Sequence, residues 1–325
     1  MGLSGLMACE KSTPPEYEVL TEKYWKEKAP AVSNLIDKVG LPSSELMLNL
    51  RIQNKKEGRT EPSTLGIEAR DFELVQSALK TLPSKLQKTM NSKLVSIAIV
   101  NDLGSSGYSD FVYTADGYPV QGFIVLDRKL LKQSSNQWFT ARENSPFSCD
   151  RLVAKLGSDQ NDFYSSIKYV VLHEFAHVFS EGTSVNQFTH DLPDQKELDR
   201  RDYAPMSWKV INGQYVSKFN QQFPEREKIR YYPTARSSLS CDDASKTYLK
   251  LKQTNFPALY AALDPFEDFA ESFANYIHVV VMKRPFEIVI QGGGKPVERF
   301  TPCWNDSRCV PKKTYMDKLY LTFPE

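Results

Sequence analysis

The stretch "VVLHEFAHVFSEG", residues 170–182, contains two of the four histidines in the chain. Positions four apart lie one above the other on a helix, so His173 and His177 can present two imidazole nitrogens to one metal ion. Glu174 borders the same cleft, and apolar residues on the other faces would bury this helix in the core. Gly182 predicts its end. The alternative is an amphipathic helix whose two histidines are satisfied by hydrogen bonds.

A catalytic zinc ion usually has three protein ligands and one open position, so a third ligand has to come from elsewhere. Asp264 and Pro265 in "YAALDPFEDFAESFANYIH" predict a helix start, and Glu267 and Glu271 lie four residues apart on one face of that helix. One carboxylate can bind the metal, while the other accepts the free ring N–H of a metal-bound histidine. The alternative is a capping box of Glu267 with Asp264, and a solvated Glu271.

The two remaining histidines are interpreted as structural. His190 follows His177 by 13 residues, whereas a metzincin site places its third histidine about six residues after the second. His278 ends the Glu267 helix among apolar residues.

The combination of "HEFAH" with a later E-x-F-A-E resembles the gluzincin branch of the zincin metallopeptidases. In particular, "EDFAESF" is similar to the corresponding helix in the catalytic domain of anthrax lethal factor. The resemblance implies one Zn²⁺ bound by His173, His177 and Glu267. It also implies that Glu174 acts as general base on zinc-bound water and that Glu271 orients a zinc histidine.

The same resemblance implies a role for a tyrosine. In lethal factor a tyrosine seven residues before the ligand glutamate assists catalysis, and Tyr260 stands seven residues before Glu267. Tyr260 would donate a hydrogen bond to the developing oxyanion, although ordinary packing is the alternative. The resemblance covers the two helices and a strand pair ahead of the first; it does not extend over residues 1–60 or 183–255.

The expected fold is α+β and zincin-like, with a small mixed sheet ahead of the active-site helix and a mainly helical second half. Residues 1–30 are interpreted as a lipoprotein signal remnant and tether, and residues 31–325 as the metallopeptidase domain. That domain would have a helical part at about 31–90 and a long, irregular insertion at about 183–255 that carries specificity, forms a lid or covers the core.

Local patterns predict the elements of this domain. "AVSNLIDKVG" and "GIEARDFELVQSALKTLP" have helical spacing and end at Gly40 and Pro83, while "QNKKEGRTEPS" is a polar loop. "KLVSIAIVND" is a strand, and "FVYTADGYPV" is a hairpin. "QGFIVLD" is a strand buried on both faces, and it is expected to border the cleft and pair with an extended peptide. "FEIVIQGGGKPVERF" reads as strand, glycine turn and strand.

Charge and hydropathy exclude several classes of partner. The 325 residues contain 41 Lys+Arg and 40 Asp+Glu, and no long basic run is interleaved with aromatic residues, so nucleic acid is not an expected partner. No stretch approaches the roughly 20 apolar residues that span a bilayer. We expect a monomer that acts on a protein or peptide substrate.

The cysteines indicate the compartment. Cys9 ends "LMAC", which resembles a bacterial lipobox and predicts a lipid anchor at Cys9, although the basic and apolar parts of a signal peptide are missing before it. Chance is the alternative. The other four form an even set, which suits an oxidising compartment, namely the bacterial cell envelope or the exterior. Cys303 with Cys309, and Cys149 with Cys241, are the candidate disulfides; four reduced, buried thiols are the alternative.

The primary hypothesis is a zinc-dependent endopeptidase, because a structural zinc site has no need for a free carboxylate such as Glu174 beside the metal. The second is a non-catalytic, metal-binding envelope lipoprotein that uses a zincin fold as a binding module. A third, hydrolysis of a cell-wall amide, would use the same residues.

Overall fold

Helices and strands are interspersed along the part of the chain that the computed structural model describes, residues 18–28, 34–147, 150–180, 193–232, 239–292 and 295–325. The α-helices in chain order are α1 (Glu22–Lys28), α2 (Ser44–Lys56), α3 (Ala69–Lys80), α4 (Ser84–Lys93), α5 (Arg128–Leu131), α6 (Ser135–Asn144), α7 (Tyr164–Ser180), α8 (Gln195–Leu198), α9 (Asp243–Leu251), α10 (Pro265–Tyr276) and α11 (Val310–Leu321). The strands are β1 (Val39–Gly40), β2 (Leu94–Val100), β3 (Gly107–Tyr113), β4 (Pro119–Asp127), β5 (Leu152–Lys155), β6 (Trp208–Ile211), β7 (Gln214–Ser217), β8 (Glu287–Gly292) and β9 (Lys295–Phe300). The architecture is mixed α and β with small sheets.

The largest of these sheets precedes α7 and has the strand order β1-β2-β4-β3. The strands β1, β2 and β4 run parallel, and β3 pairs antiparallel with β4 across the predicted hairpin. The prediction that "GFIVLD" borders the cleft is wrong, because β4 is hydrogen-bonded on one side to β2 and on the other to β3. Its predicted burial is confirmed, since Phe123 and Leu126 are fully buried. The strand at the edge of the sheet, against α7, is β3.

Two N-terminal predictions need correction. The segment ending at Gly40 is a short 3₁₀ helix, Leu35–Lys38, followed by β1, because residues 39–40 pair with β2. The predicted polar loop begins later than expected, since α2 continues to Lys56. The buried Asn54 side chain stabilises this last turn by donating to the carbonyl oxygens of Thr60 and Asp102, at 2.7 and 3.0 Å.

The long insertion is more ordered than its sequence indicates. In its described part, β6 and β7 form a hairpin and α9 follows. The fully buried Trp208 anchors this hairpin, because its indole N–H donates to Asp268 Oδ2 at 3.0 Å. The insertion therefore packs on α10, the helix that carries Glu267.

The C-terminal segment also holds α10. Asp268 and Lys312 are both fully buried, and Lys312 Nζ lies 2.5 Å from Asp268 Oδ1. Ahead of α11, Cys303 and Cys309 form the predicted disulfide, with Cα atoms 5.7 Å apart.

The rest of the tail follows its prediction, since β8 and β9 form the strand pair and join β5 in a three-stranded sheet. Cys9, Cys149 and the predicted tether lie outside the described residues, so the lipid anchor and the second disulfide stay predictions. Within the described ranges, no helix is long and apolar enough to cross a membrane.

Candidate metal centre

The helix α7 is fixed at its start and buried along its length. The Asp162 carboxylate accepts hydrogen bonds from the backbone N–H groups of Tyr164 and Ser165, both at 2.9 Å, so it satisfies two donors at the helix N-terminus. Phe175 and Phe179 pack against Phe273 of α10. This packing fixes the distance between the two helices that supply the predicted ligands.

The three predicted metal ligands converge. His173 Nε2 lies 3.3 Å from His177 Nε2, and Glu267 Oε2 lies 3.0 Å from the first nitrogen and 3.5 Å from the second. Glu267 Oε2 is buried. Both histidine nitrogens lie close to this oxygen, but neither they nor any other described residue forms a hydrogen bond of good geometry with it. The three atoms face one another in a group that could hold a metal ion.

The start of α10 brings Glu267 to the histidines. The Asp264 carboxylate caps the helix by accepting from the N–H groups of Phe266 and Glu267, both at 2.9 Å, with Pro265 as the first helical residue. The predicted helix start is therefore confirmed. The Glu267 side chain points to the two histidines, so the alternative in which it only closes a capping box is wrong.

Opposite charges attract one another within this group of side chains. Burial lowers the pKa of the His173 imidazole, but its contacts with Glu267 and Glu271 outweigh burial and raise that pKa to about 10. Burial also raises the pKa of Glu267, yet attraction to His177 and His173 brings it well below its usual range. A metal ion that binds here has to displace the proton from His173.

Glu271 lies behind His173, where it was predicted. Its Oε2 atom lies 3.2 Å from His173 Nδ1 and 2.8 Å from Arg142 Nη2. Its Oε1 atom accepts from the Tyr169 hydroxyl at 2.8 Å. Glu271 is fully buried, so the alternative of a solvated helix residue is wrong. The carboxylate fixes the ring orientation of His173 with Nε2 facing the ligand group.

Glu174 is held by the edge strand. Ser109 Oγ on β3 donates to Glu174 Oε2 at 2.7 Å. At Gly107 on the same strand, a Cβ atom would lie 2.7 Å from Glu174 Oε1 and 2.7 Å from Val170 Cγ1. Only glycine at position 107 lets β3 approach α7 this closely.

Tyr260 is packed against the same cluster. Its ring meets the His173 ring edge-on with centroids 5.4 Å apart, and the Arg142 guanidinium lies 4.6 Å above its centroid. Burial and the Glu267 charge raise the pKa of the Tyr260 phenol well above its ordinary value. The hydroxyl therefore stays protonated at neutral pH and is available as a donor.

A cavity opens beside these residues and encloses about 420 Å³ of empty space, part of it open to solvent. His173, Glu174, Tyr260 and Glu271 all line it. Its remaining walls come from the β3 start, α6, α7 and the insertion, through Ser105, Ser106, Gly107, Trp138, Arg142, Tyr169, Val170 and Tyr232.

The structural interpretation of His278 is confirmed. It is fully buried, and its Nε2 atom lies 3.1 Å from the carbonyl oxygen of Leu156 and 2.9 Å from that of Pro285. Burial lowers its pKa to about 4. His190 and Gly182 lie outside the described residues.

Several residues at this site were not predicted from the sequence. Arg142, Ser109 and Gly107 were not predicted to take part, nor was Tyr232 of the insertion. The nearest signal was "NDLGSSG", which correctly predicts a turn but not that Gly107, at its end, begins a strand in contact with α7.

No family model, no curated protein and no solved structure matches this chain. A function therefore has to be argued from the chemistry of the site itself.

Proposed function

We propose that this chain is a zinc-dependent peptidase with a zincin-like fold of the gluzincin type. The observation that carries the proposal is the convergence of His173 Nε2, His177 Nε2 and Glu267 Oε2, with separations of 3.0, 3.3 and 3.5 Å. Ligand atoms placed tetrahedrally at about 2.0–2.1 Å from zinc lie about 3.3–3.4 Å from one another. The spacing of the three atoms is compatible with tetrahedral zinc, and two histidines with one glutamate are a ligand set that catalytic zinc sites use.

Bound zinc would supply a Lewis acid that activates water and polarises the scissile carbonyl. Glu174 takes a proton from the attacking water and returns it to the leaving amine. Ser109 keeps one carboxylate oxygen in place by a 2.7 Å hydrogen bond and leaves the other for this transfer. Tyr260 donates to the oxygen on which negative charge develops.

The substrate is proposed to be an extended peptide, because β3 has a partner on one side only among the named strands and runs along α7. Tyr113, at the end of β3, forms an isolated bridge with Thr21. An edge strand with no neighbouring strand along the rest of its length is the kind of element to which a substrate strand can be added. Glu174, held at this edge, favours an enzyme over a binding module, since a module that only binds has no use for a positioned base. The Cys303–Cys309 disulfide supports our proposal of an oxidising compartment.

The test combines metal content with hydrolysis. We expect one equivalent of zinc in the wild-type protein by elemental mass spectrometry, a sharp loss in Glu267→Ala, and no loss in the surface control Glu287→Ala. Glu174→Gln should keep zinc but lose at least about a hundredfold in the rate on a mixed peptide library. Zinc binding without hydrolysis by the wild type would favour the binding module, and no zinc after reconstitution would refute the proposal.

A further inference from the structure

The cavity beside the metal centre has aromatic walls and one cationic group. The aromatic side chains are Trp138, Tyr169, Tyr232 and Tyr260, and the cation is Arg142. Such walls pack well against methylene groups.

Arg142 is only partly satisfied. The side chain is about 4% exposed, and its Nη2 atom contacts Glu271 at 2.8 Å. Its Nη1 atom is buried and has no hydrogen-bond partner among the described residues. Buried donors in proteins rarely lack an acceptor, and leaving one unpaired is unfavourable. An acceptor on a ligand in this cavity would complete the set.

The charges around Arg142 favour a neutral ligand. Glu271 opposes the guanidinium charge directly, and Glu143 Oε1 lies 3.8 Å from Arg142 Nε. Glu174 adds a further carboxylate to the cavity wall. A ligand carboxylate would add a negative charge that no cation in this buried space is left to balance, which is unfavourable.

Ser106 also lines the cavity. Its Oγ atom accepts from the Trp138 indole N–H at 2.9 Å and lies 3.5 Å from the Tyr232 hydroxyl. A hydroxyl oxygen has two acceptor positions, so the second can serve the N–H of a ligand carboxamide.

The position of the cavity selects one side of the scissile bond. His173 and Glu174 line it, whereas His177 does not. Because Glu174 passes its proton to the leaving amine, the substrate residue that supplies this amine lies on the Glu174 side. The side chain of that residue is the one nearest the cavity.

We infer that this cavity selects, immediately after the scissile bond, an uncharged side chain that ends in a hydrogen-bond acceptor, and that glutamine fits best. Its two methylene groups pack between the aromatic walls, its carbonyl accepts from Arg142 Nη1, and its amide group donates to Ser106 Oγ. The inference rests on the proposed peptidase function, of which it names the substrate class.

The test uses three malonyl hydroxamates whose central carbon, next to the zinc-chelating group, carries the side chain of glutamine, glutamate or methionine. Their affinities for the zinc-loaded protein are measured by calorimetry. We expect the glutamine compound to bind about tenfold more tightly than either of the others. Arg142→Lys keeps a cation opposite Glu271 but loses the planar fork, so it should reduce the glutamine-to-methionine ratio to below about twofold.

Ser106→Ala is the second variant, because it leaves the Arg142–Glu271 ion pair intact. It should reduce the same ratio by about threefold or more, even if Arg142→Lys does not fold. Equal affinities for the glutamine and methionine compounds, or tightest binding of the glutamate compound, would overturn the inference. Hydroxamates bind without being cleaved, so their affinities can be measured even if the protein cleaves no peptide of the library. If the affinities then follow the predicted order, only the peptidase proposal is refuted.

Discussion

Replacing Glu271 by glutamine tests how the second carboxylate of α10 supports the centre. Glutamine keeps the size of the side chain and one carbonyl acceptor, but it removes the negative charge between His173 Nδ1 and Arg142 Nη2, at 3.2 and 2.8 Å. The ring of His173 loses the partner that fixes its orientation, and the buried guanidinium loses its nearest countercharge.

Both losses have expected magnitudes. Removing a partner that orients a metal-bound histidine typically costs 10- to 100-fold in metal affinity, or about 1.4–2.7 kcal/mol. Breaking a buried ion pair typically costs about 3–5 kcal/mol of stability. We expect a loss of about 3 kcal/mol, at the lower end of this range, because the amide oxygen still accepts from the Tyr169 hydroxyl or from Arg142.

The assay compares metal-free proteins in urea and measures zinc affinity by competition with a chelating dye. Glu143→Gln is the matched control, because Glu143 is also buried beside Arg142. Its carboxylate accepts from the hydroxyls of Tyr231 and Tyr248, at 3.3 and 2.6 Å. Among the described residues, its hydrogen bonds and ion pairs do not include His173 or His177. The control should lose stability while its zinc affinity changes less than about threefold. If Glu271→Gln binds zinc as tightly as the wild type, the positioning role is refuted.

Three further results are expected. Ser109→Ala should lower kcat/KM for peptide hydrolysis by about tenfold, because Glu174 loses a charge-assisted hydrogen bond, with zinc content unchanged; an unaltered rate would show that Ser109 does not position the base. The pKa of buried His278 is about 4, below its value of about 6.5 in an unfolded chain. Between these two pH values the unfolded chain binds more protons than the folded one. The free energy of unfolding therefore falls by up to about 3 kcal/mol as the pH drops from about 6.5 to about 4. Urea unfolding at pH 7 and pH 4 should show this part of the loss in the wild type and not in His278→Gln; an equal loss in both would refute the assignment. The double variant Cys303→Ala/Cys309→Ala should have a free energy of unfolding about 2 kcal/mol lower than the wild type, as expected when a disulfide that closes so short a loop is removed. An unchanged urea unfolding curve would contradict this prediction.

The sequence was most informative where the determining contacts are local. Asp264 and Pro265 define the start of α10 within a few residues, and the helical spacing of His173 and His177 puts both on one face of α7. The hairpin of β3 and β4 followed in the same way from its turn.

Contacts between distant parts of the chain were beyond these patterns. Which strand lies at the sheet edge depends on how β1, β2 and β4 pair, and no local signal fixes that order. Arg142 reaches Glu271 only because α6 and α10 both pack against α7. Ser109 and Glu174, which form a hydrogen bond, are 65 residues apart in the sequence. Gly40 ends a segment with helical spacing, yet it pairs with β2 in the sheet.

The buried ion pair between Asp268 and Lys312 has a consequence for biosynthesis. Asp268 directly follows the predicted ligand Glu267, and its countercharge, Lys312, comes 44 residues later in the chain. A nascent chain that has not yet released Lys312 from the ribosome would carry an uncompensated carboxylate inside the ligand helix. A prematurely terminated product would carry it permanently. The helix that carries Glu267 thus reaches its stable arrangement only after Lys312 has been synthesised and has left the ribosome, so the His173, His177 and Glu267 group cannot be completed before that point in translation.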